Sequence, residues 1–151
     1  MGNIKDKCSE IKAHDAKIHQ VDSAKYLGDI ISKSGKLPEN IAERRVKGVT
    51  SFSIVRAILE DIPLGRYRTE IGLELRQAMF LNSVLFNSET WHGLKATDIT
   101  ELDTLDEQIL RYICKYHAKT PIEFLYLETG ALPISYIIAS RRMNYLHTIL
   151  I

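Results

Sequence analysis

Five basic residues lie close together at Lys33, Lys36, Arg44, Arg45 and Lys47. Such a patch can neutralise backbone phosphates, a salt-dependent grip that reads no base sequence. On a solvated helix face the same residues would instead pair with Glu39 and Glu43, the usual fate of a mixed charge run. A second group, Arg141, Arg142, Tyr145 and His147, sets cations beside rings that a base could stack on. Its alternative is the polar side of a helix whose core side is Ile138, Met143 and Leu146.

Other chemistries have less to work with. A zinc site needs Cys and His in paired ligand spacing. Cys8 with His14 and His19, and Cys114 with His117, are the nearest approaches, and neither has a matching second pair nearby. His92 and His147 are further scattered. Ser32, Ser51, Ser53, Ser83 and Ser88 lack the glycines of a nucleophile elbow. Asp103, Asp106 and Glu107 fall early in a helical stretch, where carboxylates complement the helix dipole on an exposed surface. We therefore expect no catalytic residue and no metal ligand in the chain.

These residues sit in a chain of 151 residues, 45% hydrophobic and 26% charged, with enough apolar material for a core. A formal charge of +1 gives no global field towards nucleic acid or membrane, so any such contact must be local. The apolar runs fall short of the roughly 18 residues that a membrane helix needs. Two distant cysteines suggest free thiols in a reducing compartment. The polar start, Met1 to Glu10, has no apolar core of a signal peptide.

The positioning elements follow from periodicity. Ser9 to Ala13 and Lys17 to Val21 read as short extended runs about a turn at His14-Asp15. Lys25 to Ser32 reads as the best strand, with Tyr26, Leu27, Ile30 and Ile31 supplying bulk. Gly28 marks a bulge or close backbone approach within it, and Ser34-Gly35 a turn after it. Pro38 suits the first position of a helix along which Ile41, Val49, Phe52, Val55, Ile58, Leu59 and Ile62 recur at three- and four-residue steps. Gly48 weakens that helix by about 1 kcal/mol relative to Ala.

A second helix over about Thr69 to Glu89 has bulk on more than one face, at Ile71, Leu75, Met79, Leu81, Val84, Leu85 and Phe86, which marks it as central. A third carries the stripe Ile99, Leu102, Leu105, Ile109, Ile113 and Tyr116, with Asp98 and Glu101 at capping-box spacing. Thr120-Pro121-Ile122-Glu123 opens a fourth, which Gly130 ends. Pro133 opens a fifth, Ile134 to Leu150, whose bare apolar end at Leu146 to Ile151 looks cut rather than finished. Trp91 and Tyr126 read as packing anchors. The expected fold is mainly α: a β segment over 1–36, a helical pair over 37–95 and further helices over 96–151, about five helices in all.

Six runs resemble the pattern of LINE-like, non-LTR retrotransposon reverse transcriptases. They are Lys25 to Ser32 (KYLGDIIS), Leu85 to Trp91 (LFNSETW), Leu105 to Arg111 (LDEQILR), His117 to Glu123 (HAKTPIE), Leu125 to Gly130 (LYLETG) and Arg141 to His147 (RRMNYLH). Each is weak alone, but their order and spacing are specific, and they cover nearly the whole chain. The resemblance implies a segment downstream of the catalytic palm: primer-grip hairpin, thumb and connecting region. Tyr26, Leu27 and Gly28 would position the primer end. Lys33, Lys36, Arg44, Arg45 and Lys47 would hold the backbone of an RNA–DNA or RNA duplex.

The parent activity, RNA-directed DNA synthesis, would use two divalent ions, Mg by default, held by palm carboxylates about 4 Å apart. The family's Asp-Asp turn does not occur in this sequence, and palm and fingers would lie before Met1. The resemblance thus implies a non-catalytic fragment with no cofactor of its own, intracellular, nuclear where the parent activity is retained, and not bound to membrane. The alternative is a stand-alone helical protein-interaction module without nucleic-acid binding.

Overall fold

The computed structural model describes residues 11–13, 16–18, 21–26, 29–33, 38–91 and 93–151. The chain divides into two compact units, 1–35 and 36–151. The first carries two antiparallel hairpins. Strands β1 (Ile11–Ala13) and β2 (Ala16–Ile18) pair with Ile11 opposite Ile18. Strands β3 (Ser23–Tyr26) and β4 (Asp29–Ser32) pair with Tyr26 opposite Asp29. The stretch expected as one strand is therefore two, because the chain reverses between Tyr26 and Asp29. A two-residue link containing glycine favours that reversal over a bulge. All of β3 is exposed, and two-stranded sheets of this size have little stability of their own.

Among the described residues the second unit has five helices, as the periodicity predicts: α1 (Pro38–Glu60), α2 over 66–84, α3 (Ala96–Cys114), α4 (Ile122–Thr129) and α5 (Ile134–Leu150). Helix α2 is one rod with three windings: α over Arg66–Leu75, π over Arg76–Leu81 and α again over Asn82–Val84. A left-handed Asn87 and a 3-10 turn, Ser88–Thr90, follow it, so the helix ends short of Glu89. One core joins Ile41, Val55 and Leu59 of α1, Phe80, Leu81, Val84 and Leu85 of α2 and its end, Leu102, Ile109 and Ile113 of α3, and Ile134 and Ile138 of α5. Trp91 is buried among them. The helices on either side of residue 95 thus share a core.

Two burial patterns differ from expectation. On α1 the buried line runs Ile41, Arg44, Gly48, Val55 and Leu59, while Val49 and Ile58 face outward. A Cβ on Gly48 would come within 2.7 Å of Leu105 Cδ2 and 2.9 Å of Val84 Cγ2. The glycine that weakens the isolated helix is thus where α1 comes closest to α2 and α3. On α2's end, Leu85 is buried but Phe86 is largely exposed.

Helix ends are tied by side chains from elsewhere. Lys95 is the N-cap of α3, and its backbone N–H donates to Asp98 Oδ2 at 3.1 Å, so Asp98 is the third helical residue rather than the cap itself. The opening of α4 is shifted by one residue, with Pro121 at the N-cap. Pro133, at the N-cap of α5, has no side chain that accepts a bond. Asp103 of α3 substitutes, its Oδ1 taking the Ile134 N–H at 2.8 Å. Burial raises its pKa, and the bonds from the backbone of Ile134 and Ser135 oppose that. Asp103→Ala should destabilise the helical unit by about 1 kcal/mol, the usual worth of such a cap, read as a lower urea midpoint with unchanged slope.

Candidate nucleic-acid interface

In the β unit, Lys33 is exposed and its backbone N–H closes the second hairpin on Asp22 O at 2.8 Å. Tyr26 is 63% exposed at the last position of β3. Leu27, Gly28 and Lys36 lie outside the described residues, as do Cys8, His14, His19 and His92.

In the helical unit the basic cluster does not form one face. Arg44 is only 2% exposed. Its guanidinium lies over the Phe86 ring, 5.0 Å from the centroid, and reaches Ser83 O at 3.4 Å. The expected phosphate contact is therefore corrected for this residue: it sits on the line of α1 that α2 covers. Arg45 is exposed and bridges to Glu101 of α3 at 3.1 Å. Lys47 pairs with Glu43 one turn earlier at 3.2 Å. The exposed Arg45–Glu101 pair contributes little to stability, whereas Lys47 and Glu43 are both partly buried.

Arg141 and Arg142 are inward tethers. Arg141 donates to the carbonyl of Leu85 and Arg142 to that of Trp91. Leu85 O also takes the Ser88 N–H at 3.2 Å, so the two arginines tie α5 to the turn that follows α2 rather than filling vacant acceptors. Tyr145 and His147, beyond them, are exposed.

Three buried or half-buried polar clusters replace the exposed acidic patch expected on α3. Asp106 is 0% exposed and holds Arg76 in a two-pronged pair at 2.6 and 2.5 Å. The Arg76 guanidinium also reaches Leu132 O at 3.3 Å. Burial raises the Asp106 carboxyl, with the Arg76 hydrogen bonds pulling the other way. Glu107 pairs with Arg111 at 3.2 Å. Arg68, also buried, donates to Leu59 O, to Ile62 O at 2.8 Å and to Ile113 O at 3.3 Å. One guanidinium thus closes the C-terminal ends of α1 and α3, where helix dipoles favour a cation.

A group of residues that the sequence reading did not single out lies at the end of α3. The Tyr112 ring has Lys115 at 5.2 Å, Arg68 at 5.4 Å and Arg56 at 5.6 Å from its centroid. The signal was available: Arg111-Tyr112 recurs as Lys115-Tyr116, one helical turn on. Next to it the Tyr116 hydroxyl donates to Glu128. That bond, reinforced by the nearby carboxylate charge, pushes the phenol from an ordinary 10.0 up to about 12.

The folded chain therefore favours the protonated phenol. This contribution to stability is complete below pH 10.0 and is lost as pH rises through about 12. In an absorbance titration of tyrosinate, Tyr116→Phe should remove a late step and leave the early ones unchanged.

Cys114 is half-buried, and burial with the Glu128 charge pushes its thiol up, away from reactive thiolate. The His117 Nδ1 accepts the Lys119 backbone N–H at 3.2 Å. Among the described residues no three His, Cys, Asp or Glu side chains gather as ligands of one ion would. No single helix among them is long and apolar enough to cross a membrane.

The chain matches no family model, and no curated protein or solved structure is significantly similar to it.

Proposed function

We propose that the chain is a non-catalytic part of an RNA-directed DNA polymerase of the LINE-like kind, gripping the template–primer duplex and placing the primer end. One observation carries the reading beyond the order of the six sequence runs. Arg141 and Arg142 open one run, and their acceptors, Leu85 and Trp91, are the first and last residues of another. Runs 56 and 51 residues apart at these bonds thus meet as one joint. The exposed hairpin ending in Tyr26 supports the assignment to primer positioning. For the backbone grip, Lys33, Lys36, Arg45 and Lys47 are retained, and Arg44 is not.

Fluorescence anisotropy with an RNA–DNA duplex tests this. Binding should be independent of sequence and weaken as salt rises, each phosphate contact adding about 0.9 to the slope of log K against log salt. Converting Lys33, Lys36 and Lys47 to Gln should flatten that slope and remove most of the affinity. A second reading, a helical interaction module, is favoured by the exposed apolar end of α5, where Leu146, Ile149 and Leu150 have no cover. Undetectable duplex binding at low salt, together with self-association in sedimentation, would select it.

A further inference from the structure

We propose that the end of α3 is a single-strand subsite, distinct from the duplex grip, that takes one nucleotide of an unpaired strand. This rests on the polymerase reading and specifies a second ligand for it. The site is a groove of about 380 Å³ lined by Phe52, Gln108, Arg111, Tyr112, Lys115 and Tyr116. That is near the low end of small-molecule sites, which span roughly 300–1,000 Å³. It suits one flat ring system and is too small for a double helix.

The lining alternates cations with rings, the composition that holds unpaired strands: charge tracks the backbone and aromatic faces take the bases. The roles divide by geometry. Tyr112 is occupied, with Arg56, Arg68 and Lys115 all within 5.6 Å of its centroid. It therefore gathers positive charge rather than stacking a base. Its edge also packs on Phe52, at 5.9 Å between centroids. The exposed cations Arg56 and Lys115 are the phosphate donors. Phe52, edge-on to Tyr112, and Tyr116, edge-on to Phe124 with its hydroxyl on Glu128, line the groove walls and are the base contacts. Arg111 is held by Glu107 at 3.2 Å and by Thr120 O at 3.3 Å, which makes it a wall of the groove more than a donor.

Two further features single out this place. The Arg68 guanidinium is 1% exposed, has no carboxylate partner, and its second terminal nitrogen has no hydrogen-bond partner among the described residues. Its charge is met by the carbonyls of Leu59, Ile62 and Ile113 at the C-terminal ends of α1 and α3 rather than by a carboxylate. Lys115 itself sits at φ 57°, in the left-handed region, where a side chain is mildly strained and glycine is the relaxed choice. The lysine there is exposed and lines the groove.

The test uses the full chain and two probes: a labelled oligothymidylate of about eight nucleotides and a blunt RNA–DNA duplex of equal length. The variant is Arg56→Gln with Lys115→Gly, both on the surface, the second relieving the backbone. The variant should bind the oligothymidylate about tenfold or more weakly and the duplex as wild type does. The proposal is overturned if wild type binds duplex but not oligothymidylate, an outcome that leaves the polymerase reading standing. Equal loss for both probes, or no loss for either, also overturns it. If wild type binds neither probe, the polymerase reading falls with it. Should the variant fail to fold, photo-crosslinking of a bromodeoxyuridine strand to wild type decides. Adducts at Phe52 or Tyr116 support the site, and adducts confined elsewhere exclude it.

Discussion

Asp106→Ala is expected to cost the helical unit about 3–5 kcal/mol, and Arg76→Ala about as much. The reason is not that the pair is strongly stabilising in itself. Asp106 is 0% exposed and the Arg76 side chain 6%, so both ions have given up their water. Their mutual attraction, with Leu132 O as a further acceptor at 3.3 Å, roughly offsets that loss. Removing one partner leaves the other buried and uncompensated. The double change Arg76→Met with Asp106→Leu should then be far milder than either single truncation, and neutral or even stabilising. Urea unfolding of the four proteins gives the coupling as a double-mutant cycle. Strict additivity of the two single effects would show that the ions do not act on each other.

The second large effect concerns Gly72. On propensity alone, Gly72→Ala within α2 should stabilise by about 1 kcal/mol. In the folded unit a Cβ there would lie 2.5 Å from Ile113 Cγ2, 2.9 Å from its Cγ1 and 3.2 Å from its Cβ. Ile113 is fully buried, and a β-branched residue in a helix has essentially one χ1 choice. It cannot swing aside, so α2 and α3 must part. The net result should be a loss of about 1–3 kcal/mol. Pairing Gly72→Ala with Ile113→Ala should cost less than the sum of the two single changes, because both crowding γ carbons are removed. A Gly72→Ala protein more stable than wild type would mean that the two helices separate more easily than this packing implies.

Gly48 shows the same principle in a softer form. Its neighbours are Leu105 Cδ2 at 2.7 Å, Val84 Cγ2 at 2.9 Å and Phe80 Cε2 at 3.1 Å, the nearest contact being the far end of a flexible side chain. In the sequence both glycines look like flaws in helical runs. Their purpose is invisible there because the atoms they make way for come from a helix far along the chain.

The candidate site was legible in a similarly uneven way. The extended character of Lys25 to Ser32 is legible in its bulky run, but the sequence does not separate a bulge at Gly28 from the hairpin that the pairing of β3 with β4 shows. Arg44 was misread because Ile41, Val49, Phe52 and Ile58 fit a helical stripe almost as well as the line actually buried. Adjacent phases differ by one residue in 3.6, so an arginine at the margin falls on either side. Asp106 lies 30 positions along the chain from Arg76, and nothing local distinguishes it from Asp103 or Glu107 as the member of the acidic run that turns inward.

By itself the sequence determined that a β segment precedes five helices and, to within a few residues, where those helices begin. Those features depend on backbone propensity, caps and periodicity, which act over a few residues. Only the tertiary structure decided which charged groups are structural and which face solvent: Arg44, Arg68, Arg76 and Asp106 inside, Lys33, Arg45, Arg56 and Lys115 outside. The cost of burying a charge is set by the dipoles and counter-ions that surround it. For these residues they are supplied by helix ends and side chains from remote parts of the chain, brought together only when the helices pack.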